Sequence, residues 1–178
     1  MSKTPAEFQA LHLALMTVSD TRTREQDGSG DYLQQQAQAA GHHIAVRALL
    51  PARKHELRAQ LLQWIIEPAI QVIIVNGGTG YTEHDIVPEA VPPLLDREWL
   101  GFGELFHNLS YGDIGSSALQ SRAIGGFANG ALLLAIPGSP NACALAWEKL
   151  IAPQLDSRTR PCSVVPLLRG SKGFICRS

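Results

Sequence analysis

The sequence has few cysteines, no excess of basic residues and no long apolar run. Cys143, Cys162 and Cys176 form no CxxC pair and are too few for a disulfide framework, so the chain suits a reducing cytoplasm. With 15 Lys and Arg against 16 Asp and Glu, the net charge of -1 argues against a broad basic surface for nucleic acid or an anionic membrane. The longest apolar stretch, "ALLLAI" at 131–136, is far shorter than the roughly 20 residues of a membrane helix.

The length and composition suit one globular domain. At 178 residues, with 45% hydrophobic and 17% charged residues, the chain is expected to form a single domain spanning 1–178. Residues 1–16 lack the basic start and continuous apolar stretch of a signal peptide, so a soluble, unprocessed protein is expected. Prolines, mixed charge and the lack of any period predict an extended C-terminal arm over 156–178.

Predicted strands and helices alternate in the first half of the chain. Strands are predicted at 12–19, 42–51 and 69–76, and the first and third are apolar runs typical of strands buried on both faces. Helices are predicted between them, at 31–41 and 54–67. The apolar side of the second helix is predicted to consist of Leu57, Leu61, Leu62 and Ile65.

The second half is less regular. Residues 84–98 and 102–122 look helical, although a Pro92-Pro93 pair interrupts the former. Asn129-Gly130, flanked by apolar stretches, predicts a hairpin at one edge of the sheet. A closing helix is predicted at 141–155, where Trp147 is a candidate subunit contact. The order of elements predicts a three-layer α/β/α protein with a mostly parallel central sheet and a small antiparallel hairpin element.

A glycine-rich turn follows the third predicted strand. In "VNGGTGYTEHD", Gly77, Gly78 and Gly80 allow positive φ and let an anion approach backbone N–H groups. A Walker loop is excluded because no lysine occurs between positions 54 and 149, and the dinucleotide fingerprint would need glycine where Glu83 stands. A phosphate-binding turn and a tight turn without a ligand remain the alternatives.

Asp85 ends the same stretch. A carboxylate close to polyphosphate repels it unless a divalent cation lies between them, and Mg²⁺ commonly takes one or two carboxylates plus substrate phosphates. Asp85 is therefore a candidate magnesium ligand. The alternative is that it caps the first turn of the helix that follows.

Two further polar turns are predicted at the same edge of the sheet. Ser19 and Asp20 follow the first strand, and Gly138 and Ser139 follow the hairpin. Ligands of open parallel sheets bind beyond the carboxyl ends of the strands. These residues are therefore expected to converge with the glycine turn around one ligand.

Longer motifs resemble one family over nearly the whole chain. They are "TVSDTR", "DGSGDYL", "VNGGTGYTEHDIVPEA", "DREWLGFGELFHNLSYGDIGSSALQSRA" and "AIPGSPNACALAWEKLIAPQLDSRTRPC". Together they resemble the molybdopterin-binding family of MoaB and MogA, and the central run and "WEKLIAPQLDSRTRP" are most similar to its bacterial MoaB branch.

The resemblance implies a part in molybdenum-cofactor biosynthesis and assembly as a homotrimer or homohexamer. Active family members transfer AMP from Mg-ATP to the terminal phosphate of molybdopterin and release pyrophosphate. By resemblance, Asp85 would be the catalytic residue and magnesium ligand. The residues matching ligand-binding motifs are Ser19, Asp20, Gly77, Gly78, Thr79, Gly80, Glu104, Ser117, Ser121, Gly138 and Ser139.

One departure from the family pattern bears on catalysis. MogA-type enzymes carry a second functional aspartate after the second strand, in a stretch resembling "LIPDE", whereas this chain has "LLPARKH" with Ala52 at the aligned position. Alanine cannot bind a cation or orient a phosphate. Two functions from different classes therefore stay open: a molybdopterin adenylyltransferase, or a non-catalytic protein that binds or carries molybdopterin.

Overall fold

A six-stranded mixed sheet forms the centre of the protein in the computed structural model, which describes residues 7–171. The strands lie in the order β2-β1-β3-β6-β5-β4. β1, β2, β3 and β6 run parallel, β5 is antiparallel to β6, and β4 is antiparallel to β5. The strands are β1 (His12–Val18), β2 (His43–Leu50), β3 (Val72–Asn76), β4 (Arg97–Glu98), β5 (Ile124–Ala128) and β6 (Ala131–Ile136).

Helices cover both faces of the sheet, which confirms the predicted three-layer α/β/α fold. They are α1 (Gly28–Ala39), α2 (Lys54–Ile66), α3 (Val87–Ala90), α4 (Leu100–Ile114), α5 (Pro140–Ala146) and α6 (Ala152–Leu155). Because side chains alternate along a strand, one set of strand residues packs against α1, α4, α5 and α6. The other set packs against α2 and α3.

The apolar side of α2 differs from the predicted one at a single position. Leu57, Leu61 and Ile65 are buried as expected, but Leu62 is 48% exposed and Trp64 is buried in its place. At 100° per residue, position 64 lies almost in line with position 57, whereas position 62 is turned away from it by about 140°.

The two irregular helical segments are shorter than predicted. Pro92 and Pro93 have no N–H to continue a helix, so only α3 and a 3-10 turn at Pro92–Leu94 form before the short edge strand β4. The next segment divides into α4 and a 3-10 turn at Gly115–Gln120. Gly115 ends α4 with a positive φ of 57°, a conformation that favours glycine.

The hairpin and the closing helix are confirmed with one correction. Asn129 and Gly130 have positive φ between β5 and β6, as a tight hairpin turn requires. The closing helix contains α5, a π-helical segment at Trp147–Ile151 and α6. Trp147 is only 3% exposed because it faces the core, so the expectation that it contacts another subunit is wrong.

The chain after α6 packs against its own domain as far as residue 171. Val164, Val165 and Leu168 join the core on the side of α1 and α4. Arg169 donates to the carbonyls of Ile65, at 2.6 Å, and Ile70. The rest of the predicted arm, 172–178, lies outside the described residues. In the stretch from 7 to 171, no helix combines the length and apolar character needed to span a bilayer.

Candidate functional site

The carboxyl ends of β1, β3 and β6 meet at one rim of the sheet. Gly77 has a φ of 93°, and a Cβ added there would lie 2.5 Å from the carbonyl oxygen of Val18. A Cβ added to Gly138 would lie 2.9 Å from the Cα of Gly77. Both positions therefore need glycine, because three backbone segments pass closer together than a side chain permits.

Part of the glycine turn is occupied by backbone hydrogen bonds. The Gly77 N–H donates to the Ile136 carbonyl at 3.0 Å, so it is unavailable to an anion. The carbonyl of Gly78 accepts from the N–H of Val87, also at 3.0 Å. The Gly77 amide therefore joins the turn to β6.

Asp85 is held by the turn that precedes it. One carboxylate oxygen accepts from the Thr82 N–H at 2.9 Å and from the Thr82 hydroxyl at 2.6 Å. Partial burial would raise the pKa of Asp85, but hydrogen bonds from Thr82 and Gly80 and the charge of Arg122 outweigh it and lower the pKa. Asp85 is therefore a carboxylate at neutral pH.

An open cavity of about 380 Å³ lies beside Asp85. Two basic side chains line it, Lys54 from the start of α2 and Arg122 from the segment before β5. Its other lining residues are Tyr81, Thr82, Glu83, Ile86 and Glu89. The cavity lining thus combines two cations with three carboxylates, of which Asp85 is oriented by Thr82 next to the glycine turn.

Asp20 connects the first polar loop to two other parts of the rim. One of its carboxylate oxygens lies 3.0 Å from His84 Nδ1, in the loop that contains Asp85. The other accepts from the N–H of Ala52 at 2.8 Å. Ala52, the residue that departs from the family pattern, therefore lies in the rim, and its amide orients Asp20.

The first loop is also tied to the loop after β6. The Gly138 carbonyl accepts from Arg22 Nη2 at 3.0 Å and from the Ser29 hydroxyl at 2.8 Å. The Ser19 hydroxyl accepts from the N–H of Arg22 at 3.1 Å. Ser139 caps α5 by accepting from the N–H of Ala142. These serines and glycine shape the rim through contacts within the protein.

A buried polar network lies directly beneath the rim. The Asp27 carboxylate is fully buried and accepts from the Thr17 hydroxyl at 2.7 Å and from Arg47 Nη2 at 2.6 Å. Asn76 Nδ2 donates to the same Thr17 oxygen at 2.9 Å. Gly30 N–H also donates to Asp27, which caps α1. The network fixes the ends of β1 and β3 relative to α1.

The motif at 96–123 contains three predicted site residues, Glu104, Ser117 and Ser121, and their surroundings differ. Ser121 adjoins the glycine turn, because the N–H of the next residue, Arg122, donates to the Thr79 carbonyl at 3.0 Å. The Ser121 hydroxyl is buried and has no hydrogen-bond partner within the described part of the chain. Glu104 and Ser117 are exposed, and no hydrogen bond among residues 7–171 joins them to the turn.

Several residues of the site were not among the predicted ones. Arg22, Lys54, Tyr81, His84 and Arg122 all contact the rim or line the cavity. The arginines bond to carbonyls far away in the chain, at separations of 116 residues for Arg22 and 42 for Arg122. A weak signal was present in the resemblance, since both arginines stand inside the quoted motifs.

Comparison with known proteins identifies the family. Residues 14–157 match the family model described as a probable molybdopterin binding domain. This match covers most of the chain and includes every loop of the rim. The chain therefore belongs to this molybdopterin-binding family.

Its relatives narrow the assignment within the family. It is 50% identical to molybdenum cofactor biosynthesis protein B of Escherichia coli K12 over 169 residues, covering 95% of this chain and 99% of the relative. A crystal structure of molybdenum cofactor biosynthesis protein B superposes with a TM-score of 0.80 at 41% identity, covering 86% of this chain and 94% of the other. The tungsten cofactor synthesizing protein MoaB from Pyrococcus furiosus gives 0.70 at 30% identity, with coverages of 79% and 89%. The chain is thus placed among the molybdenum cofactor biosynthesis proteins of MoaB type.

Proposed function

We propose that the rim binds the terminal phosphate of molybdopterin and that the cavity beside Asp85 binds Mg-ATP for transfer of AMP to that phosphate. The observation that carries this proposal is the oriented, ionised Asp85 carboxylate next to the glycine turn and Lys54. Membership of the molybdopterin-binding family supports the choice of ligand.

The Asp85 site suits a magnesium ion that arrives with the nucleotide. Among residues 7–171, no cluster of three or more His, Cys, Asp or Glu side chains could hold a metal ion. Magnesium on a nucleotide commonly needs only one or two protein carboxylates, because phosphates and water complete its coordination. The lowered pKa of Asp85 keeps its carboxylate charged for this role. The ion would neutralise charge on the phosphates.

The reaction requires no nucleophile from the protein. An oxygen of the molybdopterin phosphate attacks the α-phosphorus of ATP, a new P–O bond forms, the bond to the β-phosphate breaks, and pyrophosphate leaves with its electron pair. The protein contributes alignment and charge neutralisation. Asp85 would hold the metal-bound nucleotide, and the Lys54 ammonium would compensate phosphate charge.

Pyrophosphate release tests this proposal. Wild-type protein incubated with molybdopterin and Mg-ATP should release pyrophosphate, and Asp85→Asn should abolish this release while the protein stays folded. Asp113→Asn, an exposed acid on α4 away from the cavity, is the matched control and should behave as wild type. Absence of turnover by wild-type protein with fresh substrates would refute the adenylyltransferase.

Ala52 favours a second candidate, a carrier that binds molybdopterin without chemistry. Its side chain packs at the margin of the apolar cluster on the α2 side and offers no carboxylate to the rim. Ala52→Asp separates the two candidates. Pyrophosphate release by the variant alone would identify a site that binds but has lost catalysis, whereas purified wild-type protein that does not bind molybdopterin would exclude the carrier.

We also infer that the protein acts in the cytoplasm as a homo-oligomer, either a trimer or a hexamer. Support comes from α4, which exposes Leu100, Leu105 and Ile114 to 66%, 54% and 56%. Aliphatic side chains this exposed on one helix favour contact with another subunit. Light scattering on the eluting protein would measure the mass, and a monomer at micromolar concentration would contradict the assembly.

A further inference from the structure

We propose that Tyr81 binds the planar, fused nitrogen heterocycle of a phosphate-bearing ligand by stacking, in the cavity beside Asp85. This inference rests on the proposed function, because its two ligands both have this chemistry: ATP carries a purine and molybdopterin a pterin. It goes further by assigning ring recognition to one residue.

Tyr81 is unusually placed for its size. It directly follows the glycine turn, lines the cavity, and leaves 68% of its surface exposed. Aromatic side chains bury large apolar areas when they pack in a core, and this ring instead remains at the cavity wall. A ring in that position offers a flat apolar surface a few residues from the carboxylate proposed to hold the nucleotide.

Arg122 holds the Tyr81 ring. Its guanidinium carbon lies 4.5 Å from the ring centroid, within the range of a cation–π contact. This contact occupies one part of the ring and restricts its rotation. The exposed remainder is therefore presented in a fixed orientation, which lowers the entropy lost when a ligand stacks on it.

The hydrogen bonds of Arg122 tie it to the loop that carries the Tyr81 ring. Its guanidinium donates to the Gly80 carbonyl, to the Asp85 carbonyl at 3.4 Å, and to the Glu89 carboxylate at 2.5 Å. These partners are all within the protein, and their bonds use four of the five guanidinium N–H groups. Arg122 thus fixes both ends of the Gly80–Asp85 loop and the ring between them.

The charge for a phosphate group comes from Lys54. It lines the same cavity, and no carboxylate between residues 7 and 171 lies within ion-pair distance of its ammonium group. The cavity volume of about 380 Å³ is within the range of small-molecule sites. Tyr81, Asp85 and Lys54 therefore supply the three contacts that a phosphorylated heterocycle needs: ring, metal and anion.

Calorimetric titration with three probes tests the proposal: Mg-ATP, magnesium tripolyphosphate, which lacks the ring, and molybdopterin. Tyr81→Ala should weaken Mg-ATP binding about 5- to 150-fold, the range measured for loss of one base-stacking contact. Tripolyphosphate affinity should not change. Tyr81→Phe keeps the ring and should bind as wild type.

Each result has a distinct meaning. Weaker molybdopterin binding with unchanged ATP binding supports stacking and assigns the ring to the pterin. Unchanged affinity for both ligands overturns the stacking role and leaves the proposed function intact. An equal loss of tripolyphosphate affinity also overturns it, because Tyr81 would then act only by shaping the turn. Wild-type protein that binds neither ATP nor molybdopterin refutes both this inference and the proposed function.

Discussion

The buried network beneath the rim predicts a large stability loss for Asp27→Asn. Asp27 is fully buried, and the side chain of its partner Arg47 is only 5% exposed. Removing one charge of a buried pair leaves the other uncompensated, at a cost of about 3–5 kcal/mol. The side-chain oxygen of asparagine can still accept from the Gly30 N–H, and Arg47 still pairs with the Asp31 carboxylate at 2.5 Å, so the loss should be at the lower end of this range. We expect a loss of about 3 kcal/mol, or about 6–12 °C in Tm for a chain of this size.

Urea unfolding at fixed protein concentration, followed by circular dichroism, measures this loss. Asp31→Asn is the matched control, because Asp31 pairs with the same arginine but is 59% exposed. Its loss should not exceed about 1 kcal/mol. Adding Arg47→Met to Asp27→Asn should recover part of the stability by removing the unpaired charge. Equal losses in the two single variants, or less than about 1 kcal/mol for Asp27→Asn, would refute the reasoning.

Three further predictions concern the rim and the start of β1. Gly138→Ala should lower the free energy of unfolding by about 1–3 kcal/mol, because the added Cβ would lie 2.9 Å from the Gly77 Cα. The control Gly112→Ala has nothing within 4 Å of its added Cβ and should stabilise α4 by up to about 1 kcal/mol. Equal melting temperatures of the two variants would contradict this reasoning. His42 Nδ1 accepts from the Leu11 N–H, and burial lowers the His42 pKa. The stability that neutral His42 contributes is therefore complete above the unfolded pKa of about 6.5 and is lost as pH falls towards the folded pKa. Urea titrations at several pH values should show a smaller loss of stability in acid for His42→Asn than for wild type. An identical pH dependence of stability in the two proteins would exclude this origin. Asp85→Asn should remove the magnesium dependence of nucleotide binding with little change in the urea midpoint, and equal magnesium dependence by calorimetry would exclude a metal role.

The central parallel strands β1 and β3 are predictable because they are buried on both faces. All residues of β3 are buried, and a run of β-branched residues is typical of such a position. The hairpin is predictable because Asn129-Gly130 suits the positive φ of its turn. The predicted apolar side of α2 was wrong at Leu62, which is adjacent in sequence to Leu61 but is turned outward by the helical period.

Much less of the site is predictable than of the fold. The meeting of Ser19, Gly77 and Gly138 follows from parallel strands that end at one edge. The hydrogen-bond partners of single side chains cannot be predicted in this way, because they lie in distant segments of the chain. Nothing near Gly138 in sequence indicates that Arg22 donates to its carbonyl. Glu104 and Ser117 were expected in the site through family resemblance alone; both are exposed, and none of the hydrogen bonds between residues 7 and 171 joins them to the glycine turn.

The rim joins residues that lie far apart in the chain, and this has a consequence for biosynthesis. Arg22 and its acceptor at Gly138 are 116 residues apart, so a nascent polypeptide emerging from the ribosome cannot close this contact until β6 and the loop after it have been made. Translation products that end before this loop would lack a complete rim. Any ligand that binds the rim would therefore stabilise only chains in which the loop after β6 has already been made.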